Sequence, residues 1–519
     1  MSHLVNPGDE AIARYMRHRG AVRAPADFLQ RSLAGAITAP GRLTLLNRFM
    51  PLAAAIALIA VAGLGLSARA LLAPSGVQRP TPPVPPVPLL LQTFTDSGIT
   101  LVPADSATLT AGDFEPIELG EFYLHGVSAD GRTLAVLPFV RGNAGFVRIY
   151  DLASWRETRA REPVADDARL LTFAVDGSTV YWVEGRGANP TGGFPRGWNV
   201  RALAVGGGPA SEVAELPERF QPREMRALDD GRLAVYGVAT DFNGFSTSTA
   251  RVVIAESESG VIAADLPLSG VTMGTERLPE EGPSRFESDE PATAWDLPAG
   301  LLYVVDAEAA ALTTVDLNAA TVSQQDIVPG SLPERLLSWL VPTARAKLLS
   351  GTDRSAALSP DGQRLFLTGM DRQVDDAADP LTYTETPLGL RVIGIDGRGL
   401  DRADLPVSEL ALSPDGHWLL MAGYSLRTPE GSGGETAGSG LYLADTANLE
   451  DIKHLEPSEV ISLVGISFDS RYAYVLQQNR VDGPSRLRTL DLATGAFLSD
   501  VASPAANVLV IGGSPGTAL

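Results

Sequence analysis

The chain has no cysteine in its 519 residues, which excludes disulfide frameworks, thiolate nucleophiles and Cys-ligated zinc together. The compartment stays open, because an oxidising one permits disulfides without requiring them. Lysine occurs only at Lys347 and Lys453, and 62 acidic residues against 41 basic ones leave a net charge of −21. A body this acidic lacks the clustered cations that phosphate binding needs, so nucleic acid is excluded as a partner. The five histidines, His3, His18, His125, His417 and His454, show no metal-site spacing. No Walker or dinucleotide glycine pattern follows a suitable strand, so no cofactor is expected. The G-x-S-x-G at Gly512 to Gly516 stands three residues from the last residue. A nucleophile elbow needs a strand-turn-helix with an acid and a histidine downstream. Catalytic residues, metal ligands and cofactor ligands are therefore left unassigned.

What is present is unevenly spread. Residues 1–48 hold seven arginines against Asp9, Glu10 and Asp27, so nearly all the negative charge lies beyond them. Between Arg48 and Arg69 runs an uncharged segment, FMPLAAAIALIAVAGLGLSA, and at about 1.5 Å rise per residue it covers roughly 30 Å of hydrocarbon. This predicts a transmembrane helix over 49–68, and the arginines before it predict a cytoplasmic N-terminus and an extracytoplasmic remainder. Residues 69–93 then form a Pro-rich linker, with seven prolines between Pro74 and Pro88 that favour extended polyproline II.

Beyond the linker, 52 glycines and 38 prolines in the whole chain suit an all-β protein rich in turns. One element recurs: an apolar strand, a Ser/Thr-x-Asp-Gly type turn, a second apolar strand. It appears as SADGRTLAV at 128–136, SPDGQRLFL at 359–367 and SPDGHWLLM at 413–421. The pattern places turns at Gly131, Gly177, Gly231, Gly300, Gly362 and Gly416, with Ser470 in the glycine position of a seventh. Asp-Gly suits a tight hairpin, since glycine accepts positive φ and aspartate bonds the local backbone. A third strand after most copies ends in an apolar-Asp signature, at Asp151, Asp316, Asp396, Asp445 and Asp491. Units of about four antiparallel strands at this period predict a radial propeller over 94–519, and seven turns predict seven blades. The tail at 507–513 and the early segment at 98–110 are the candidate closing strands, one terminal segment completing a blade begun by the other.

SPDGQRLFL and SPDGHWLLM resemble the blade motif of TolB-like and other PD-repeat β-propellers, a likeness of pattern that extends over roughly 94–519. The resemblance implies the fold rather than an activity, because such folds host unrelated functions. The chain departs from TolB-like proteins in its anchor and in its count of turns, and no repeat carries the paired Gly-His and Trp-Asp signatures of WD repeats. A propeller-bearing peptidase of the prolyl oligopeptidase type would need a hydrolase domain after the propeller. The cytoplasmic tail offers two short amphipathic helices, near Ile12, Tyr15 and Met16 and near Phe28, Leu29, Leu33 and Ile37. Its layout weakly resembles membrane anti-sigma factors at Pro25 to Leu33, without the His and Cys of the zinc-binding type.

The long connections, 184–198, 371–389 and 424–440 within blades and 268–291 and 333–351 between them, should all emerge on one rim, which makes that rim the candidate binding face. Its candidate residues are Trp198, Arg335, Trp339, Asp371, Asp375, Asp376, Tyr383 and Tyr424. The aspartates there lack the spacing of a cation loop, and the apolar run at Leu336 to Val341 reads as a short helix across the channel mouth or a docking segment. The expected function is that of a single-pass bacterial membrane protein presenting a propeller to a protein or glycan ligand, with residues 1–48 free to signal to a cytoplasmic partner. An exported lactonase-like or hydrolytic enzyme and a structural component of an envelope complex are the alternatives.

Overall fold

The computed structural model describes residues 89–509, apart from 330–348 and shorter internal breaks. The expected tail, membrane span and nearly all of the linker lie outside the described residues, as do Arg335, Trp339 and Asp376. Within them the chain is strand and turn, and no helix there is long and apolar enough to cross a membrane. The first strand is Leu89–Thr95, so sheet structure starts five residues before the expected 94. Leu89 and Leu90 of this strand are buried, Leu90 fully, and Leu91 packs partly buried against the same core as Leu89, so its leucines belong to the core rather than to the spacer.

The strands form eight four-stranded antiparallel units among the described residues, one of them with a short extra strand at Glu162–Val164. Units two to eight begin at Phe122, Ala168, Phe220, Ala292, Leu349, Glu409 and Val460, and each is built on one of the seven predicted turns. Unit one differs. Its strands Leu89–Thr95, Gly98–Ala104 and Ile117–Gly120 come from one end of the chain and its fourth, Asn507–Leu509, from the other, with Leu90 opposite Leu509 and Gln92 opposite Asn507. One terminal segment thus completes a unit begun by the other, as the closure argument requires. The turn count gave seven because the innermost and second strands of unit one are not joined by a turn at all. The ends of the described chain meet there instead.

The turns hold by the chemistry their residues imply. The backbone has positive φ at Gly131, Gly177, Gly231, Gly300, Gly362 and Gly416, and at Ser470 as well (φ 58°). In four copies the serine hydroxyl donates to the aspartate two residues on and accepts the amide three residues after it. Ser413 Oγ lies 2.6 Å from Asp415 Oδ1 and 2.8 Å from the Trp418 nitrogen, and Ser128, Ser359 and Ser467 repeat the pattern. The apolar-Asp signature has an equally local role. Asp151, Asp316, Asp445 and Asp491 end third strands, and each accepts amides of the turn that follows, for example Ser154 N at 2.6 Å and Thr494 N at 2.9 Å.

The second strand of each unit is buried on both faces, which explains its unbroken apolar runs. In unit four Leu233 and Val235 enter the core shared with unit three, while Ala234 and Tyr236 enter the core shared with unit five. Eight such cores exist among the described residues, one between each pair of consecutive units. The last joins Tyr472, Tyr474 and Leu487 of unit eight to Leu89 and Leu109 of unit one. Each fully buried large aliphatic side chain contributes roughly 1.5–3 kcal/mol, and no unit could bury both of its faces alone. The fold is therefore all-β and propeller-like.

Candidate functional site

Units six and seven break the regular pattern. Their second strands, Arg364–Asp375 and Trp418–Pro429, run 12 residues each. Strand Thr382–Pro387 folds back on the far half of the first and also pairs with the second, matching Tyr383 with Thr428 and Glu385 with Leu426. Strand Glu435–Asp445 continues the sheet beyond it, so the two units fuse into one ten-stranded sheet. The segments 371–389 and 424–440, expected as loops, are thus largely strands. Their residues are mostly polar, with the β-formers Thr and Tyr in TYTETP and a single Val in RQVD, and a strand with no apolar alternation gives no hydrophobic signal. The connection 268–291 is likewise partly ordered, with a strand to Met273 and a small hairpin of Thr275–Arg277 with Arg285–Glu287.

The two faces of the seam differ. In register across it run Gln373, Thr384, Arg427 and Glu435, a polar row that is exposed except at half-buried Thr384. On the neighbouring positions the side chains converge on Glu385, which is buried. Its Oε1 accepts the Tyr383 hydroxyl at 2.7 Å and Arg372 Nε at 3.0 Å, and its Oε2 accepts the Tyr424 hydroxyl at 2.9 Å. Arg372 also pairs with Asp353 on the innermost strand of unit six. Burial pushes the Glu385 carboxyl up, but the hydrogen bonds from Tyr383, Arg372 and Tyr424 outweigh it and hold the group below its ordinary value. Burial and the Glu385 carboxylate push both tyrosine hydroxyls up to about 12. With both oxygens occupied, Glu385 ties three strands together, and Arg372 extends the tie to a fourth through Asp353.

Beside this hub a cavity of about 170 Å³ opens between the innermost strands of units six and seven, walled by Asp353, Met370, Arg372, Ser408, Glu409 and Tyr424. Ser408 is buried and its Oγ has no hydrogen-bond partner. Glu409 Oε2 accepts the Leu463 amide of unit eight at 2.7 Å. Burial raises the Glu409 carboxyl above its ordinary value, and the Leu463 bond only partly opposes this. A second inner carboxylate, Glu224 of unit four, is held by Trp295 Nε1 at 2.8 Å and by the Thr293 hydroxyl of unit five.

Of the sequence candidates, Tyr383 and Tyr424 meet on one carboxylate, and Asp371 stands next to Arg372, accepting Gln373 Nε2 at 2.7 Å. Asp375 closes the strand of unit six, its backbone opposite Thr382. Trp198 lies elsewhere. It is 2% exposed, in the core between units three and four, with the Arg169 guanidinium 4.8 Å above its ring. Sequence reasoning missed Glu385, Arg372, Asp353, Ser408 and Glu409. The Tyr383-Thr-Glu385 spacing was a usable signal, since residues two apart share a strand face. Among the described residues no group of three or more His, Asp or Glu side chains is placed to hold a metal ion.

No family model matches the chain, and no curated protein does. Among solved structures it is similar to a eukaryotic initiation factor at 13% identity and a TM-score of 0.43, over 81% of this chain and 98% of that one. A prolyl endopeptidase matches at 14% identity and 0.39, over 82% of this chain and 50% of that one. A 6-phosphogluconolactonase-like protein of Bacteroides fragilis matches at 13% and 0.34, over 73% and 97%. Similarity this low carries no argument about fold or activity.

Proposed function

We propose that the chain is a single-pass bacterial membrane protein whose closed eight-bladed, TolB-like propeller binds a protein or cell-wall ligand outside the cytoplasm. In this reading residues 1–48 are cytoplasmic and free to meet a partner in the manner of an anti-sigma factor, and residues 49–68 span the bilayer. The uncharged segment and its flanking arginines support the topology. The single observation that supports binding is the seam. Two hairpins extend past the body of units six and seven, are locked together by Glu385, and present the polar row of Gln373, Arg427 and Glu435 on a braced sheet. Side chains on a braced sheet bind without the ordering cost that a mobile loop incurs.

The absence of cysteine makes the test direct. Single replacements Ser2→Cys and Thr321→Cys, probed with a membrane-impermeant maleimide, should label Thr321→Cys in intact cells and Ser2→Cys only after lysis; the reverse pattern would sink the topology. The detergent-solubilised full chain should be retained on isolated cell-envelope material, and Arg427→Glu should lose that retention while folding normally. Retention that ignores Arg427→Glu would rule out the seam as the binding face.

A further inference from the structure

We infer that the cavity between the innermost strands of units six and seven is a subsite for one neutral, hydroxyl-rich ring, the size of a single sugar residue. The inference rests on the binding reading above and names the ligand class. Size comes first. A dry cavity of about 150 Å³ accommodates benzene, so 170 Å³ takes a six-membered ring while its outer substituents stay in solvent.

Charge then removes two classes. The wall carries Asp353 and Glu409 against Arg354 and Arg372, and Asp353 is already paired with Arg372. The cavity therefore has no net charge with which to recruit an ion. An anion would face the Glu409 carboxylate, and a cation would leave the hydroxyl proton of Ser408 without an acceptor.

The open polar atoms select among neutral groups. Ser408 is 8% exposed, and its buried Oγ, able both to donate and to accept, has no partner. Glu409 makes one hydrogen bond through Oε2, which leaves Oε1 as an acceptor. Arg372 uses Nε and Nη1 on Glu385 and Asp353, which leaves Nη2 as a donor. A wall offering an open donor, an open acceptor and a hydroxyl matches vicinal hydroxyl groups, each of which gives and takes one hydrogen bond. Met370 and Tyr424 supply the less polar side against which the carbon face of a ring packs. An unmet buried hydroxyl is a cost the fold carries, and a ligand hydroxyl removes it.

The test uses the detergent-solubilised full chain, with glucose, galactose, mannose and N-acetylglucosamine as probes and glucuronate, glucosamine and free lysine as charged comparators. Binding is read by titration calorimetry and saturation-transfer NMR. At least one neutral sugar should bind saturably and more tightly than any charged comparator. Glu409→Gln should weaken it about tenfold, by loss of a hydrogen bond to a charged group. Ser408→Ala should weaken it about threefold with no fall in thermal midpoint, since its hydroxyl bonds nothing in the free protein. Three results overturn the inference: no saturable neutral-sugar binding, preference for a charged comparator, or affinity unchanged in both variants. Envelope retention and its loss in Arg427→Glu read the broader function separately, so retention without sugar binding removes the subsite alone.

Discussion

At the scale of single residues, the repeated turn is demanding about its glycine. Gly416 has φ 70°, and a Cβ there would sit 2.0 Å from Pro360 Cγ of the preceding turn. Gly416→Ala combines the left-handed penalty of about 1–2 kcal/mol with that clash, and should lower stability by more than the penalty alone. Gly206→Ala, where a Cβ would meet nothing within 4 Å, should be close to neutral; chemical denaturation of both variants decides it. Ser470 shows why a serine can stand at such a position. Its Oγ accepts the Asp415 amide of the neighbouring turn at 3.1 Å, a bond glycine could not make. Glu385 gives the second residue-scale prediction. Its folded pKa lies below the ordinary 4.5, so the stability it contributes is present above that value and lost as pH falls through the depressed one. Glu385→Gln should cost about 1–3 kcal/mol near neutral pH, and the gap from wild type should close as the solution is acidified below pH 4.5. A gap independent of pH would mean that the carboxylate charge is not what holds the seam.

At the scale of elements, what could be read from the sequence was whatever used apolar spacing or turn chemistry. The seven turns and four of the five expected Asp-terminated third strands were legible because each is a local device of hydroxyl, carboxylate or backbone amides within six residues; the fifth aspartate, Asp396, lies in the turn two residues past a third strand that ends at Gly394. The binding rim was legible only as length. Residues 371–389 and 424–440 are too long for hairpin connections, but their pairing depends on a partner about 40 residues away, as between Glu385 and Leu426. Polar strands give no signal of such pairing. Tyr383 and Tyr424 were therefore found as aromatic residues in long connections, and the carboxylate that unites them was not. Trp198 was misplaced for the converse reason. It follows a Pro- and Gly-rich stretch, yet it is the second residue of the strand Gly197–Ala204 and already packs into the core.

At the scale of the whole molecule, the described fold is a cycle, and a cycle has one join. Seven of the eight units are each built from one continuous stretch of chain, so their loss would require local unfolding. Unit one is joined across the chain ends by Asn507–Leu509 against Leu90, Leu91 and Gln92. Removing residues 503–519 deletes that strand and leaves Leu89–Thr95 as an open inner edge, the kind of edge that pairs with other chains. The core between units eight and one then loses the strand that lies beside it, while the cores among units two to eight do not border that strand. The expected result is local: faster amide hydrogen exchange over 89–104 and over 472–478, a lower thermal midpoint and concentration-dependent association, with exchange in units three to five unchanged. Exchange that stays as slow as in the intact chain would mean that the eight cores hold the cycle without the closing strand. Exchange that rises uniformly would instead make the units one cooperative body in which closure is a condition for folding anywhere.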